Sequence, residues 1–309
     1  MAQRQISHRL LIIIAFLCIY LIWGTTYMAI RIGLDGLPPF MMAAVRFFLA
    51  GILMVVYCFW SRQKWPKFHS MVRNAFFGLI ILVGGQGLLV WSEQYIATGY
   101  ASVLVATIPL WFVIIDKSNW KLYFTNPFII LGVVLGFIGI LTLFGEKLSR
   151  GSAATSNLEI IATALVLFGA ISWVSGTLLY KTYPPKDSMY MNLGWQFIFA
   201  SLISLALSGL LGEYSHTDFS NVGVRAWSAI IYLSLIGSIV GLIAYTWLLT
   251  QKPAAVVGTY AFVNPIIAVL IGWLFANETI SSFQLVGMVI IIVSAVMINL
   301  KRRQVLKSD

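Results

Sequence analysis

Charge is what this sequence has least of. Only 10% of its 309 residues are Asp, Glu, Lys or Arg, against about a quarter in an ordinary soluble domain, and that composition excludes a water-filled surface all round. Chemistry-bearing residues are equally scarce. There are two cysteines and three histidines, too few for a disulfide framework, and no Cys/His group has metal-ligand spacing. His8, His69 and His216 all fall outside the apolar runs, so no Ser/His/Asp set assembles at one depth. No G-x-x-x-x-G-K-[ST] loop is present to hold nucleotide phosphates. Arg4 and Arg9 precede an apolar run in the manner of a signal peptide, but the run continues to Ile30 without an A-x-A site and reads as an uncleaved first segment.

What fills the space is hydrocarbon: 60% of residues are hydrophobic and the mean hydropathy is +0.91. A helix crosses roughly 30 Å of hydrocarbon with about 20 apolar residues. Ten segments meet or approach that length: 10–30, 40–60, 75–95, 101–116, 127–145, 158–180, 189–211, 226–249, 255–276 and 282–300. They are called segments one to ten below. The fold class expected is therefore all-α and integral to a membrane. The net charge of +10 is distributed by side rather than along one face, which argues against nucleic acid as a partner. With the N-terminus inside, fifteen of the twenty basic residues lie on cytoplasmic connections and four, Arg31, Lys147, Arg150 and Arg225, lie outside. That asymmetry predicts both termini in the cytoplasm.

The chain also repeats. Trp23, Arg31, Met41, Phe47 and Ala50 recur as Trp173, Lys181, Met191, Phe197 and Ala200 at a spacing of 150. Gly85, Trp91 and Pro109 recur as Gly241, Trp247 and Pro265 at 156, and Phe128 and Gly132 recur as Phe283 and Gly287 at 155. Residues 1–150 and 151–309 thus form two copies of five segments each. Five is odd, so membrane-embedded copies must be inverted relative to one another, an arrangement from which carriers build two gates around a central site. Pro109 and Pro265 sit at matching positions in segments four and nine, where each removes a helix bond and favours a bend.

Polar side chains within the segments are few and unsuited to lipid, so they should face the bundle interior. Segment one carries Trp23, Thr25, Thr26 and Tyr27; segment six carries Ser172, Trp173, Ser175 and Thr177. Gln86 and Glu93 share a face of segment three, as do Tyr260 and Asn264 on segment nine. Such groups either bond between helices or line a cavity for a small amphipathic solute. Arg46 is the only base well inside a segment. It can snorkel outward, pair with Glu93 or meet an anionic solute group. Glu93 is the candidate for proton coupling, since a carboxylate in a half-dry cavity can be tuned by its surroundings. Glu278, within Asn277-Glu278-Thr279, reads as a helix-end anchor.

These residues carry a resemblance. Ile22-Trp23-Gly24-Thr25-Thr26-Tyr27, Pro38-Pro39 with Arg46-Phe47, Ala106-Thr107-Ile108-Pro109, Asn264-Pro265 and Asn277-Glu278-Thr279 before Gly287, in that order, make the chain similar to EamA-type members of the drug/metabolite transporter (DMT) superfamily over about residues 10–300. The resemblance implies ten transmembrane helices in two inverted five-helix repeats around a central cavity. It also implies export of amino acids or other small metabolites by alternating access across a bacterial cytoplasmic membrane, without a cofactor. It places Trp23, Thr26, Gln86, Trp91, Thr107, Trp173, Tyr260 and Asn264 on cavity-associated segments. The partners expected are a small-molecule solute, the lipid bilayer and protons as candidate coupling ion, with the chain acting as monomer or homodimer. The alternatives are a carrier of phosphorylated or nucleotide-linked sugars, which needs a basic cavity, and an integral-membrane enzyme acting on lipid-linked substrates, which needs clustered acids or histidines.

Overall fold

A computed structural model describes residues 7–149, 156–276 and 281–300, and within them every regular element is a helix. Among the described residues, eight helices are long and apolar enough to cross a membrane: His8–Leu34, Pro39–Trp60, Phe68–Ser92, Thr98–Ile115, Asn157–Thr182, Met189–Leu210, Val224–Gln251 and Ala254–Ile271. The remaining two expected segments differ from this plain form. Segment five begins at Pro127 after a 93° bend from the short helix Lys117–Thr125. The proline drives Asn126 out of the helical region, to φ −102° and ψ 98°. Segment ten is the apolar helix Ser282–Leu300. The tripeptide Asn277-Glu278-Thr279 lies outside the described residues.

Helix starts follow local chemistry. Ser7, Ser156 and Ser188 accept hydrogen bonds from the otherwise orphaned N–H groups of Leu10, Glu159 and Met191, and Glu159 returns a bond to the Ser156 backbone. Segment two has no such cap of its own, since Pro38 and Pro39 precede it. Its first N–H groups, those of Phe40 and Met41, donate instead to the Glu213 carboxylate at 3.2 and 2.9 Å, an anion at the positive end of a helix.

The residue 150 positions before Glu213 is Gln63, and Gln63 Oε1 accepts from Ser188 at the start of segment seven. Each copy therefore sends one side chain, from just after its second helix, to the N-terminus of the matching helix in the other copy. The residues before these two side chains also match: Arg62 and Gly212 are in the left-handed region, at φ 51° and 74°. Glycine occupies that conformation freely and arginine at some cost. Glu213→Ala removes a charge-assisted cap and is expected to destabilise the protein by about 1 kcal/mol. Glu213→Gln should retain part of that. Thermal unfolding in detergent measures both.

The same reciprocity runs through the core. Segment two packs on seven and segment five on ten. Mates meet directly where Phe47 stacks on Phe197, 6.1 Å between centroids, and Trp23 meets Trp173 edge-on at 5.5 Å. Gly85 is covered by Trp173, and its mate Gly241 is covered by Trp23. Gly132 is covered by Ile298, and its mate Gly287 by Leu143, the mate of Ile298. Contacts of i with j and j with i are the mark of a two-fold relation between like surfaces.

One feature escaped the periodicity. Gly78–Gly87 in segment three and Leu233–Val240 in segment eight are π-helical, and at a spacing of 156 the two stretches overlap. Wide turns of this kind leave carbonyls free for other donors. Ile80 O accepts from Ser172 Oγ at 2.8 Å, and Gly237 O accepts from Trp23 Nε1 at 3.0 Å. Glycines and serines are dense in both stretches, but composition of this kind fits an ordinary packed helix equally well.

Candidate functional site

Segments four and nine are interrupted. Segment four breaks between Thr98–Val105 and Ile108–Ile115, and segment nine between Ala254–Val257 and Tyr260–Ala276. A threonine fastens each break by donating to the carbonyl three residues earlier: Thr107 to Leu104 at 2.7 Å, Thr259 to Val256 at 2.8 Å. The prolines have unlike settings despite matching positions. Pro109 sits at the start of the second half-helix, where its missing N–H costs nothing, whereas Pro265 lies inside a helix. The interruption of segment nine precedes its proline by six residues, so packing as well as proline chemistry decides where the chain breaks. Gly258 permits this approach, because a Cβ there would lie 2.6 Å from the Phe112 ring.

Around these breaks lies a cavity of about 70 Å³, room for a few waters at about 10–15 Å³ each. Trp23, Thr26, Gln86, Trp173, Tyr260 and Asn264 line it, together with Arg46, Tyr27, Gly85 and Gly169. Its aromatic wall is a contiguous group. Trp23 meets Tyr260 at 4.6 Å and Tyr245 at 5.1 Å, and Trp173 meets Tyr245 at 5.4 Å. The polar edges of these rings are held: Trp173 Nε1 donates to the Tyr245 hydroxyl at 3.2 Å, and Thr177 shares a bond with that hydroxyl at 3.1 Å. Bonding the polar edges orients the rings rather than leaving them to slide.

Two residues carried over by resemblance sit elsewhere. Trp91 meets Tyr95 at a tilt, 4.8 Å between centroids, in a cluster with Ile96, Ala101 and Val166 beside the cavity. Thr107 is consumed by the break, accepting also from Trp111 Nε1 at 3.1 Å. A span may border a cavity while only one face of it does so, and no spacing rule tells which face survives a helix break.

Arg46 and Glu93 are both buried, yet they form no ion pair among the described residues. Arg46 points inward instead of snorkelling, and its Nε donates to Ser238 Oγ at 2.9 Å on the π-helical stretch of segment eight. Glu93 is fully buried with both carboxylate oxygens unpartnered. Its backbone carbonyl accepts from Arg31 at 3.3 Å. Tyr27 and Asn264 both line the cavity. Tyr27, one of the segment-one groups expected to face the interior, lines the cavity, and Tyr245 and Ser238 join the site through their bonds with Trp173 and Arg46. Tyr27 had a signal, as one of several hydroxyls on segment one; Tyr245 and Ser238 had none, since their mates in the first copy are Leu89 and Leu82. Among the described residues no group of three His, Cys, Asp or Glu could hold a metal ion.

Comparison with known proteins gives this geometry its context. The profile of the EamA-like transporter family matches residues 10–145 and 160–300, one match in each copy of the repeat. The uncharacterized inner membrane transporter YedA of Escherichia coli (strain K12) is 32% identical over 291 residues, covering 93% of this chain and 90% of that protein. The uncharacterized transporter YoaV of Bacillus subtilis (strain 168) is 23% identical over 284 residues, covering 91% and 94%. A solved crystal structure shares the fold, with a TM-score of 0.71 at 16% identity, covering 94% of this chain and 96% of that one. An all-helical bundle of membrane-spanning length, folded from two copies around a polar and aromatic cavity, belongs to the EamA-like transporter family of the drug/metabolite transporter superfamily, and this chain is a membrane transporter.

Proposed function

We propose that this transporter exports a small amphipathic metabolite, an amino acid or related compound, across a bacterial cytoplasmic membrane by alternating access. All ten segments cross the membrane as two inverted five-helix repeats, and both termini are cytoplasmic. The observation that carries this reading is the reciprocal packing of Gly85 on Trp173 and Gly241 on Trp23 at the cavity wall. Two copies that contact each other through the same surfaces can exchange conformations, so that whatever opens one side opens the other in turn. The paired caps fit the same scheme. In an inverted pair, Gln63–Ser188 closes one face and Glu213 with segment two closes the other, so each face has its own latch.

At about 70 Å³ the cavity has room for water-sized guests, below the roughly 300 Å³ or more of ligand pockets, so transport requires the helices to part. Among the described residues Arg46 is the one buried base, which favours a solute of low charge over a phosphorylated or nucleotide-linked sugar. Topology is tested by cysteine labelling in a Cys18→Ser, Cys58→Ser background. Single cysteines placed in 62–73 and 212–225 should react from opposite sides of oriented vesicles. Labelling of both from one side rules out the inverted arrangement.

A further inference from the structure

Arg46 is 3% exposed and has Ser238 as its one hydrogen-bond partner among the described residues. A guanidinium cannot discharge by losing its proton under ordinary conditions, so a lone one in the interior needs an anion or water to face it. Among the described residues, the buried carboxylates are placed elsewhere. Glu213 caps segment two. Asp116 accepts from Ser118, Asn119 and Tyr123. The Glu93 carboxylate makes no ion pair with Arg46, and Arg31 bonds the Glu93 backbone carbonyl. What Arg46 does face is the cavity.

Its surroundings are built to leave that face open. Ser238 holds Nε, which leaves the two terminal nitrogens for a planar pair of acceptors, the shape that a carboxylate presents. The neighbouring residue on the π-helical stretch is Gly237, and a Cβ there would come within 3.6 Å of Arg46 Nη2 and 3.1 Å of the Thr26 methyl. Elsewhere in the same cavity Gln86 Oε1 and Asn264 Oδ1 are buried acceptors without donors, and Trp23, Trp173 and Tyr260 supply apolar wall. One forked cation, two idle acceptors and an aromatic wall describe a complementary guest. Resting on the transport reading above, we propose that Arg46 recognises a carboxylate on the solute and that this cavity selects organic carboxylates with an apolar body and an N–H or O–H donor over their uncharged counterparts. A dianionic phosphate would leave charge unmatched against a single base, and buried unmatched charge is costly.

The purified full-length chain is tested with mandelate and mandelamide, which share an aromatic ring, a hydroxyl donor and a shape and differ in charge, by quenching of tryptophan fluorescence. The wild-type protein should bind the acid about tenfold or more tightly than the amide, the scale of a hydrogen-bonded charge pair. Arg46→Gln should bring the ratio to near one, and Arg46→Lys, which keeps charge and loses the fork, should leave an intermediate ratio. If Arg46→Gln does not fold, the wild-type and Arg46→Lys ratios decide. Equal affinity for both probes in the wild type, binding of neither, or an acid preference that survives in Arg46→Gln overturns the assignment. Liposome flux separates this from the transport reading. Acid-selective binding without flux of either probe counts against transport and leaves the role of Arg46 standing, whereas equal flux of acid and amide overturns the role of Arg46 alone.

Discussion

Glu93→Gln is expected to reduce proton-driven flux in proteoliposomes to the level of protein-free vesicles while substrate counterflow persists. The carboxyl is fully buried and neither oxygen has a partner. An unpaired carboxylate away from water is stable only if it takes up a proton, gains a cation or is hydrated. Opening one side of the bundle hydrates it and closing dries it, so the proton can follow the conformational cycle. Glutamine keeps the shape of the protonated acid but has no proton to release, which separates coupling from exchange. The mate of Glu93 is Leu249, so no second carboxyl substitutes for it. Unchanged flux under a pH gradient in the variant excludes Glu93 as the coupling group.

Gly287→Ala should cost the largest amount of stability of any single methyl added to this chain's described glycines. The new Cβ would lie 2.6 Å from Leu143 N, 2.7 Å from Leu143 Cα and 2.8 Å from Gly139 O. All three are backbone atoms, so no side-chain rotation relieves the clash and segments five and ten must separate. Overpacking of this kind costs about 1–3 kcal/mol. The separation would also stretch the 2.6 Å bond from Ser294 Oγ to Gly132 O. Gly223→Ala serves as the comparison, since nothing lies within 4 Å of a Cβ there. A thermal midpoint for Gly287→Ala as high as that of Gly223→Ala would show that the two helices are not in close contact. Small residues matter more here than in water, because helices in lipid associate through packing rather than through a hydrophobic drive.

Much of this protein was readable without coordinates. Apolar runs of the right length identify membrane helices because each segment must satisfy its own backbone where no water is available. A repeat of Trp23, Phe47 and Gly85 at fixed spacing identifies two like units, since matching apolar and small residues at matching places pack in like ways. Residue type alone also marked Trp23, Gln86, Trp173, Tyr260 and Asn264 as interior groups, because a polar or amphipathic side chain has little place against lipid. Tertiary structure decided what those groups face. Trp91 and Thr107 have the same chemistry as their neighbours but were turned to a side cluster and a helix break. Arg46 was within reach of both a carboxylate and the membrane surface, and it is the π-helical turn carrying Ser238 that points it inward. One residue's difference in turn width rotates everything beyond it, and that rotation depends on packing between copies rather than on the residues of either one. Sequence determined the two units and their interior inventory; only their packing against each other made a cavity with a single charged wall.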